Sequence, residues 1–262
     1  MSAAEAYYER LGDETFAATS ATESPWDARL QHGGPPTALL ARAMLANHPR
    51  DEMRLARITT DFLGPIPRAT VEVTTRVVRP GKRIELLEAT MTSGGRTVVT
   101  ARAWRIVVQP AGSVPPGVTA PDPVPPRSGP QEAPDWLRGW GYSESIEWRY
   151  SVGSHDPGPA AVWARLRVPL IAGEPMHQLD RALVVVDSAN GISGELPMGP
   201  WLFVPPSLTV SLERYPRGEW TLLAARTMLG DDGLGTCIAS LADDDGYFGH
   251  GLQTLYVEQR SL

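Results

Sequence analysis

Cys237 is the only cysteine in the chain, so no intrachain disulfide can form and the cytoplasm is the expected location. Long hydrophobic runs are missing too; none reaches the ~18 apolar residues that a membrane-spanning helix needs, so no membrane span is expected. The opening stretch MSAAEAYYERLGDETF holds acids and no apolar run, so it does not read as a signal peptide. Positive charge is in short supply: 24 Lys and Arg face 30 Asp and Glu, for a net charge of −6 and a pI near 5.4. No broad basic surface is available to neutralise a phosphate backbone, which argues against a nucleic-acid partner. Asp231-Asp232 and residues 243–245 look like fragments of calcium loops, but each lies beside glycine between strand-like runs. Hairpin turns account for them better, and no metal is expected.

What the chain does have is 42% hydrophobic residues among 262, enough for one large domain or two of ordinary size. Gly and Pro number 25 each, which implies many turns and short strands. Residues 109–134 hold nine prolines among 26 positions and no aromatic residue. Such a stretch cannot donate ladder hydrogen bonds regularly or bury a core, so it reads as an extended linker. It divides the chain into units 1–108 and 135–262.

Both units show one apolar helix and a run of strands. In the first, HGGPPTALLARAMLANHP offers a glycine turn at Gly33 and Gly34, then prolines suited to a first helical turn, then a helix over 37–46. Strands are expected over 55–63, 69–78, 84–93 and 97–108, separated by Pro and Gly. The second unit has strands over 146–152 and 161–168, a helix over 179–192, and strands over 207–214, 219–228, 235–242 and 250–258. The later strands of the two units are offset by about 150 residues, with Ala89-Thr90 falling on Ala239-Ser240. A helix followed by antiparallel strands, twice over, is an α+β architecture in which each sheet wraps a helix.

Three segments carry a resemblance: VWARLRV followed by ALVVVDSANG, SLTVSLERYPRGEWTLL, and GHGLQTLYVEQR. They resemble the acyl-CoA thioesterase II family, whose members are double-hotdog proteins. The resemblance implies that this chain is two fused hotdog domains. It also implies a water held for hydrolysis by an Asp, a Thr or Ser, and a Gln, which fall by motif position on Asp187, Ser207 and Gln253. His32-Gly33-Gly34 resembles the turn that precedes the central helix in many hotdog thioesterases. Ala41 stands where an acid follows in those helices, whereas Asp187 fills the matching place in the second unit. One unit keeps the glycine turn and the other keeps the acid, which points to a single site per chain.

The implied substrate is an acyl-CoA thioester, with no cofactor beyond the CoA carried by the substrate. A helix N-terminus presents free N–H groups and partial positive charge, so Gly34 N–H is the candidate oxyanion donor and Gly33 shapes the turn. Asp187, buried among apolar neighbours, is the candidate general base on water, with the nucleophile role as the alternative. Ordinary roles stand beside these: Asp187 as a helix C-cap before Asn190-Gly191, Ser207 and Gln253 as strand residues, His32 as a turn stabiliser. The alternative function is a non-catalytic acyl-CoA or lipid-binding hotdog protein. A hydratase on the same fold calls for a His five residues after the acid, where this chain has Ile192. A homodimer is expected, because sheet edges left open invite a second copy.

Overall fold

The computed structural model describes residues 4–110, 112–113, 123–132, 135–153 and 157–260. In the first unit, strands β1 (Tyr8–Arg10) and β2 (Thr15–Ala18) precede helix α1 (Gly34–Asn47). Strands β3 (Met53–Phe62), β4 (Thr70–Arg79), β5 (Ile84–Ser93) and β6 (Arg96–Val107) follow. The second unit runs through helix α2 (Gly141–Glu144), strands β7 (Ile146–Val152) and β8 (Ala160–Leu166), and helices α3 (Gln178–Val186) and α4 (Ala189–Ile192). It ends with strands β9 (Trp201–Leu212), β10 (Trp220–Leu229), β11 (Leu234–Asp243) and β12 (Gly246–Gln259).

Among the described residues, twelve strands form one sheet in the order β1-β2-β4-β5-β6-β3-β9-β12-β11-β10-β8-β7. Adding six to each strand of the first half reproduces the second half in reverse order, so a pseudo-twofold axis runs between β3 and β9. Those two strands pair antiparallel from Arg57↔Ser211 to Asp61↔Ser207. Thr59 lies opposite Thr209 at the centre, with the two hydroxyls 3.1 Å apart. The sheet wraps α1 and α3, which pack on each other in its concave face. Ala38 to Ala41 and Met44 of α1 and Ala182 to Val186 of α3 are all buried there. Burying each large aliphatic side chain contributes roughly 1.5–3 kcal/mol, which decides for helix in the β-branched run Val184-Val185-Val186 against its local strand preference. This is the double-hotdog α+β fold.

The structure departs from the sequence reading in four places. The opening polar segment contains β1 and β2, whose burial is carried by Tyr8 and Phe16. The expected helix over 179–192 is two helices, with Asp187 and Ser188 at the joint between α3 and α4. Strand β9 starts at Trp201 and runs through Pro205 and Pro206. Prolines are tolerated there because β3 stops pairing at Ser207 and the β12 register shifts between Thr254 and Tyr256.

The fourth departure concerns the proline-rich stretch, of which 111, 114–122 and 133–134 lie outside the described residues. Residues 123–132 dock on the sheet rather than hang free. Gln131 accepts from Tyr150 N–H at 2.9 Å, Trp163 Nε1 donates to Pro125 O at 3.0 Å, and the Arg127 guanidinium lies over the Trp163 and Trp220 rings. Gln131 thereby caps β7 at Tyr150. The free side of β1 is bonded in turn to 169–172, through Tyr8 N–H to Leu170 O and Ala172 N–H to Tyr8 O. Each edge strand is thus met by other parts of the chain at one residue, Tyr150 in β7 and Tyr8 in β1.

Candidate active site

The N-terminus of α1 runs into the C-terminal turn of α3, and glycine makes that approach possible. A Cβ on Gly34 would overlap the Val184 carbonyl, and one on Gly33 would come within 2.8 Å of Asp187 Oδ2 and 2.6 Å of the Phe62 ring. Gly33 has φ −73°, so close approach and not an unusual dihedral demands glycine here.

Asp187 is the C-cap of α3 and is 5% exposed. Both of its oxygens are held. Gln253, reaching in from β12, donates its Nε2 to Asp187 Oδ1 at 3.0 Å and to the Asp187 main-chain carbonyl at 3.0 Å. Gln253 Oε1 accepts the Asn190 N–H at 3.1 Å, so one buried amide ties the sheet to both sides of the α3–α4 joint. Oδ2 lies 3.1 Å from His32 Nδ1. Burial pushes the Asp187 carboxyl up to about 7, against the Gln253 amide and the Gly33 and Gly34 N–H groups, which pull it down. Burial pushes His32 down to about 3, so the imidazole is neutral.

The His32 ring is fixed by its neighbours. It stacks on Tyr142 at 4.0 Å and 10°, and Tyr142 stacks on Trp140 at 5.5 Å. The Tyr142 hydroxyl donates to Val184 O at 2.8 Å and lies 2.8 Å from Ser188 Oγ, on either side of Asp187 in sequence. His32 Nδ1 also accepts the Gly34 N–H at 3.3 Å. A neutral ring that accepts the Gly34 N–H at Nδ1 carries its proton on Nε2.

Above Asp187 opens a cavity of about 410 Å³ whose walls are mostly apolar, with Trp26, Ile66, Trp140, Leu202 and Phe203 among them. Trp26 and Phe203 meet edge to face at 5.2 Å. Among the described residues, Asp187 is the only carboxylate in the wall, and no Arg or Lys lines it. Among the described residues, no group of three or more His, Cys, Asp or Glu could hold a metal ion. The buried Asp243 accepts from Arg214 at 2.6 Å and from the Arg217 and Asp245 N–H groups, so that acidic stretch is a bonded turn.

The structure brings together Asp187, Gln253, His32, Gly33 and Gly34. It does not bring Ser207 to them. Gln253 faces inward and lies opposite the buried Leu208; Ser207 lies opposite the exposed Thr254, one residue out of phase and on the other face of the sheet. The β9 residues that line the cavity run from Leu202 to Pro206, and none carries a hydroxyl. The second unit also has a histidine turn that was not evident from sequence. His177 caps α3 by accepting the Leu179 N–H at Nδ1 (3.2 Å), as His32 accepts the Gly34 N–H. Asp187 stands ten residues after His177, and Arg42 ten after His32, so Arg42 rather than Ala41 is the counterpart of Asp187. Arg42 pairs with the buried Asp180 and lies 3.4 Å from Glu174.

Family models of the acyl-CoA thioesterase N-terminal domain and C-terminal domain match residues 22–106 and 120–257. The chain belongs to the acyl-CoA thioesterase family. Solved structures similar to it include acyl-CoA thioesterase II TesB2 from Mycobacterium marinum, at 12% identity over 97% of this chain and 95% of that one (TM-score 0.70). The tesB protein of Mycobacterium avium subsp. paratuberculosis shares 16% identity over 96% of each chain (TM-score 0.67). A hot dog fold protein of unknown function from Alicyclobacillus acidocaldarius shares 19% identity over 97% and 96% (TM-score 0.72). No curated protein matches the chain. In this thioesterase-family chain, Tyr142, Trp140 and the Asn190 N–H were missed by sequence reasoning. Aromatic residues just past a linker carry no local mark of the histidine they will stack on.

Proposed function

We propose that the chain hydrolyses acyl-CoA thioesters to a free carboxylic acid and CoA, with Asp187 as general base. The observation that carries this reading is a buried carboxyl, raised to about 7, at the floor of an apolar cavity and clamped by Gln253. A base whose pKa lies near working pH best combines the correct protonation state with driving force. In the ionised form Asp187 takes a proton from water as the water oxygen bonds to the thioester carbon. The carbonyl electrons move onto oxygen, giving a tetrahedral oxyanion beside the N-terminus of α1. When the oxyanion collapses, the C–S bond breaks, and the CoA thiolate receives the proton from Asp187.

Gly33 and Gly34 N–H are the available donors for the oxyanion; losing one such donor typically costs about 3–4 kcal/mol of barrier. In the resting site those groups act on the Asp187 carboxyl, so the oxyanion must share them. Gln253 orients Asp187 rather than the water, since both Nε2 bonds go to Asp187 itself. The cavity wall favours an uncharged acyl group: a carboxylated acyl chain finds no cation there and faces Asp187. The test is thiol release from a panel of apolar and carboxylated acyl-CoAs by the wild type and Asp187→Asn. Release from apolar substrates, abolished by the substitution, is expected. Release that survives in a folded Asp187→Asn protein removes Asp187 as base.

A further inference from the structure

The pseudo-twofold that relates the two halves also relates the acyl cavity to a second crevice. Moving 150 residues along the chain carries Phe62 to Leu212, Gly64 to Arg214 and Pro65 to Tyr215, and carries Val204 back to Arg54. All four of the former line the acyl cavity and all four of the latter line the second crevice, of about 650 Å³. Gln178, next to the capping His177, takes the place of Gly33 in its wall. The two crevices sit at opposite ends of the central β3–β9 pair. Phe62 and Arg54 are eight residues apart on one strand, or roughly 26 Å at about 3.3 Å per residue.

The second crevice has lost the hydrolytic parts and changed its charge. Arg42, bound to Asp180, occupies the position of Asp187. Apolar and glycine positions have become Arg54 and Arg214, and Arg217 joins them. Arg214 is held by Asp243 and Arg217 by Asp245. Arg54 is exposed, lies over the Tyr215 ring at 5.2 Å, and has no carboxylate partner among the described residues. Among the described residues Glu213 is the one carboxylate in the wall, and His250 lies 3.7 Å from it. Below the crevice, His177 is held low by burial and then, against Asp180, by Arg42, Arg54 and Arg181.

We propose that this second crevice binds a phosphate-bearing anion without hydrolysing it, with Arg54 and Arg217 as its contacts. Guanidinium groups offer paired N–H donors that match phosphate oxygens, and several of them around one hollow suit a phosphate better than an acyl chain. The phosphate has two sources, the nucleotide end of CoA or free inorganic phosphate. The proposal rests on the pseudo-symmetry and the charge of the crevice and is independent of hydrolysis at Asp187.

The test is calorimetric titration of the full chain at low salt with CoA, adenosine 3′,5′-bisphosphate and inorganic phosphate, each used separately. Arg54→Glu, Arg217→Glu and the distant control Arg76→Glu are compared with wild type. Saturable binding that Arg54→Glu and Arg217→Glu each weaken about tenfold or more, and that Arg76→Glu leaves within about twofold, is expected for charge-assisted contacts. Equal binding of all three probes assigns the crevice to phosphate itself; binding of the two nucleotides alone assigns it to the CoA end. No binding of any probe by the wild type, or equal weakening by Arg76→Glu, overturns the proposal.

Discussion

Replacing Asp187 by Asn should remove activity and at the same time stabilise the fold, by an amount that depends on pH. An acid raised from 3.8 to about 7 by burial binds a proton in the folded chain that the unfolded chain has already released. Folding stability from this group is full below pH 4 and is lost as pH rises toward 7. The whole effect is roughly 4 kcal/mol, an upper figure because some solvent relaxation is always available. His32 has the opposite sign. It is neutral in the fold down to about pH 3, so its contribution is present above the unfolded value of 6.5 and is lost as pH falls. Between pH 4 and 6.5 the two groups oppose each other in the wild type, and His177, also held low by burial, adds to the His32 side, so a wild-type stability curve alone does not display the acid. The difference between wild type and Asp187→Asn isolates the acid. The Asn carbonyl can still accept from Gln253 Nε2, while its new N–H group meets the Gly33 and Gly34 N–H donors, a mismatch worth about 1 kcal/mol at every pH. The advantage of Asp187→Asn should therefore grow by about 3 kcal/mol between pH 5 and pH 8. Urea unfolding of both proteins at those two pH values, with equal denaturant slopes, reads it directly. A difference that does not change with pH would refute the burial argument and the assignment of a raised carboxyl to this site.

Thioester turnover should rise with pH through about 7 as Asp187 ionises and show no falling limb near 6.5, because His32 stays neutral; initial rates from pH 5 to 9 check it. Gln253→Ala deletes both bonds to Asp187, so turnover should fall by about 100-fold with little change in KM, and the rising limb should move to higher pH. Ser207→Ala should leave kcat within about twofold of wild type, since that hydroxyl faces away from Asp187; a large loss would show that the strand parity is wrong. Gly33→Ala places a methyl against Asp187 Oδ2 and the Phe62 ring, and it should abolish turnover in a chain that still folds, as judged by circular dichroism.

Much of this protein was legible in the order of its residues. The pairing of one glycine turn with one acid came through the family resemblance, whereas the strand boundaries of β5 and β7 and the buried apolar helices follow from local periodicity and turn chemistry. Those signals act over a few residues, so sequence carries them completely. Asp187 and Gln253 were reached through motif position, and folding brings them within 3.0 Å across 66 residues of chain.

Tertiary structure alone decided which face Ser207 takes. A strand alternates its faces every residue, so a register error of one moves a hydroxyl from the site to solvent, and nothing local sets the register of β9 against β12. It alone decided the break between α3 and α4, where Gln253 from a distant strand satisfies Asn190 N–H and the Asp187 carbonyl that a continuous helix would leave to itself. It also converted a helix C-cap into an acid near pH 7, because burial under the sheet and beside His32 is a property of the packed molecule. The sequence by itself determined two repeats of an apolar helix with antiparallel strands; only the fold, by wrapping both helices in a single sheet, determined what Asp187 meets.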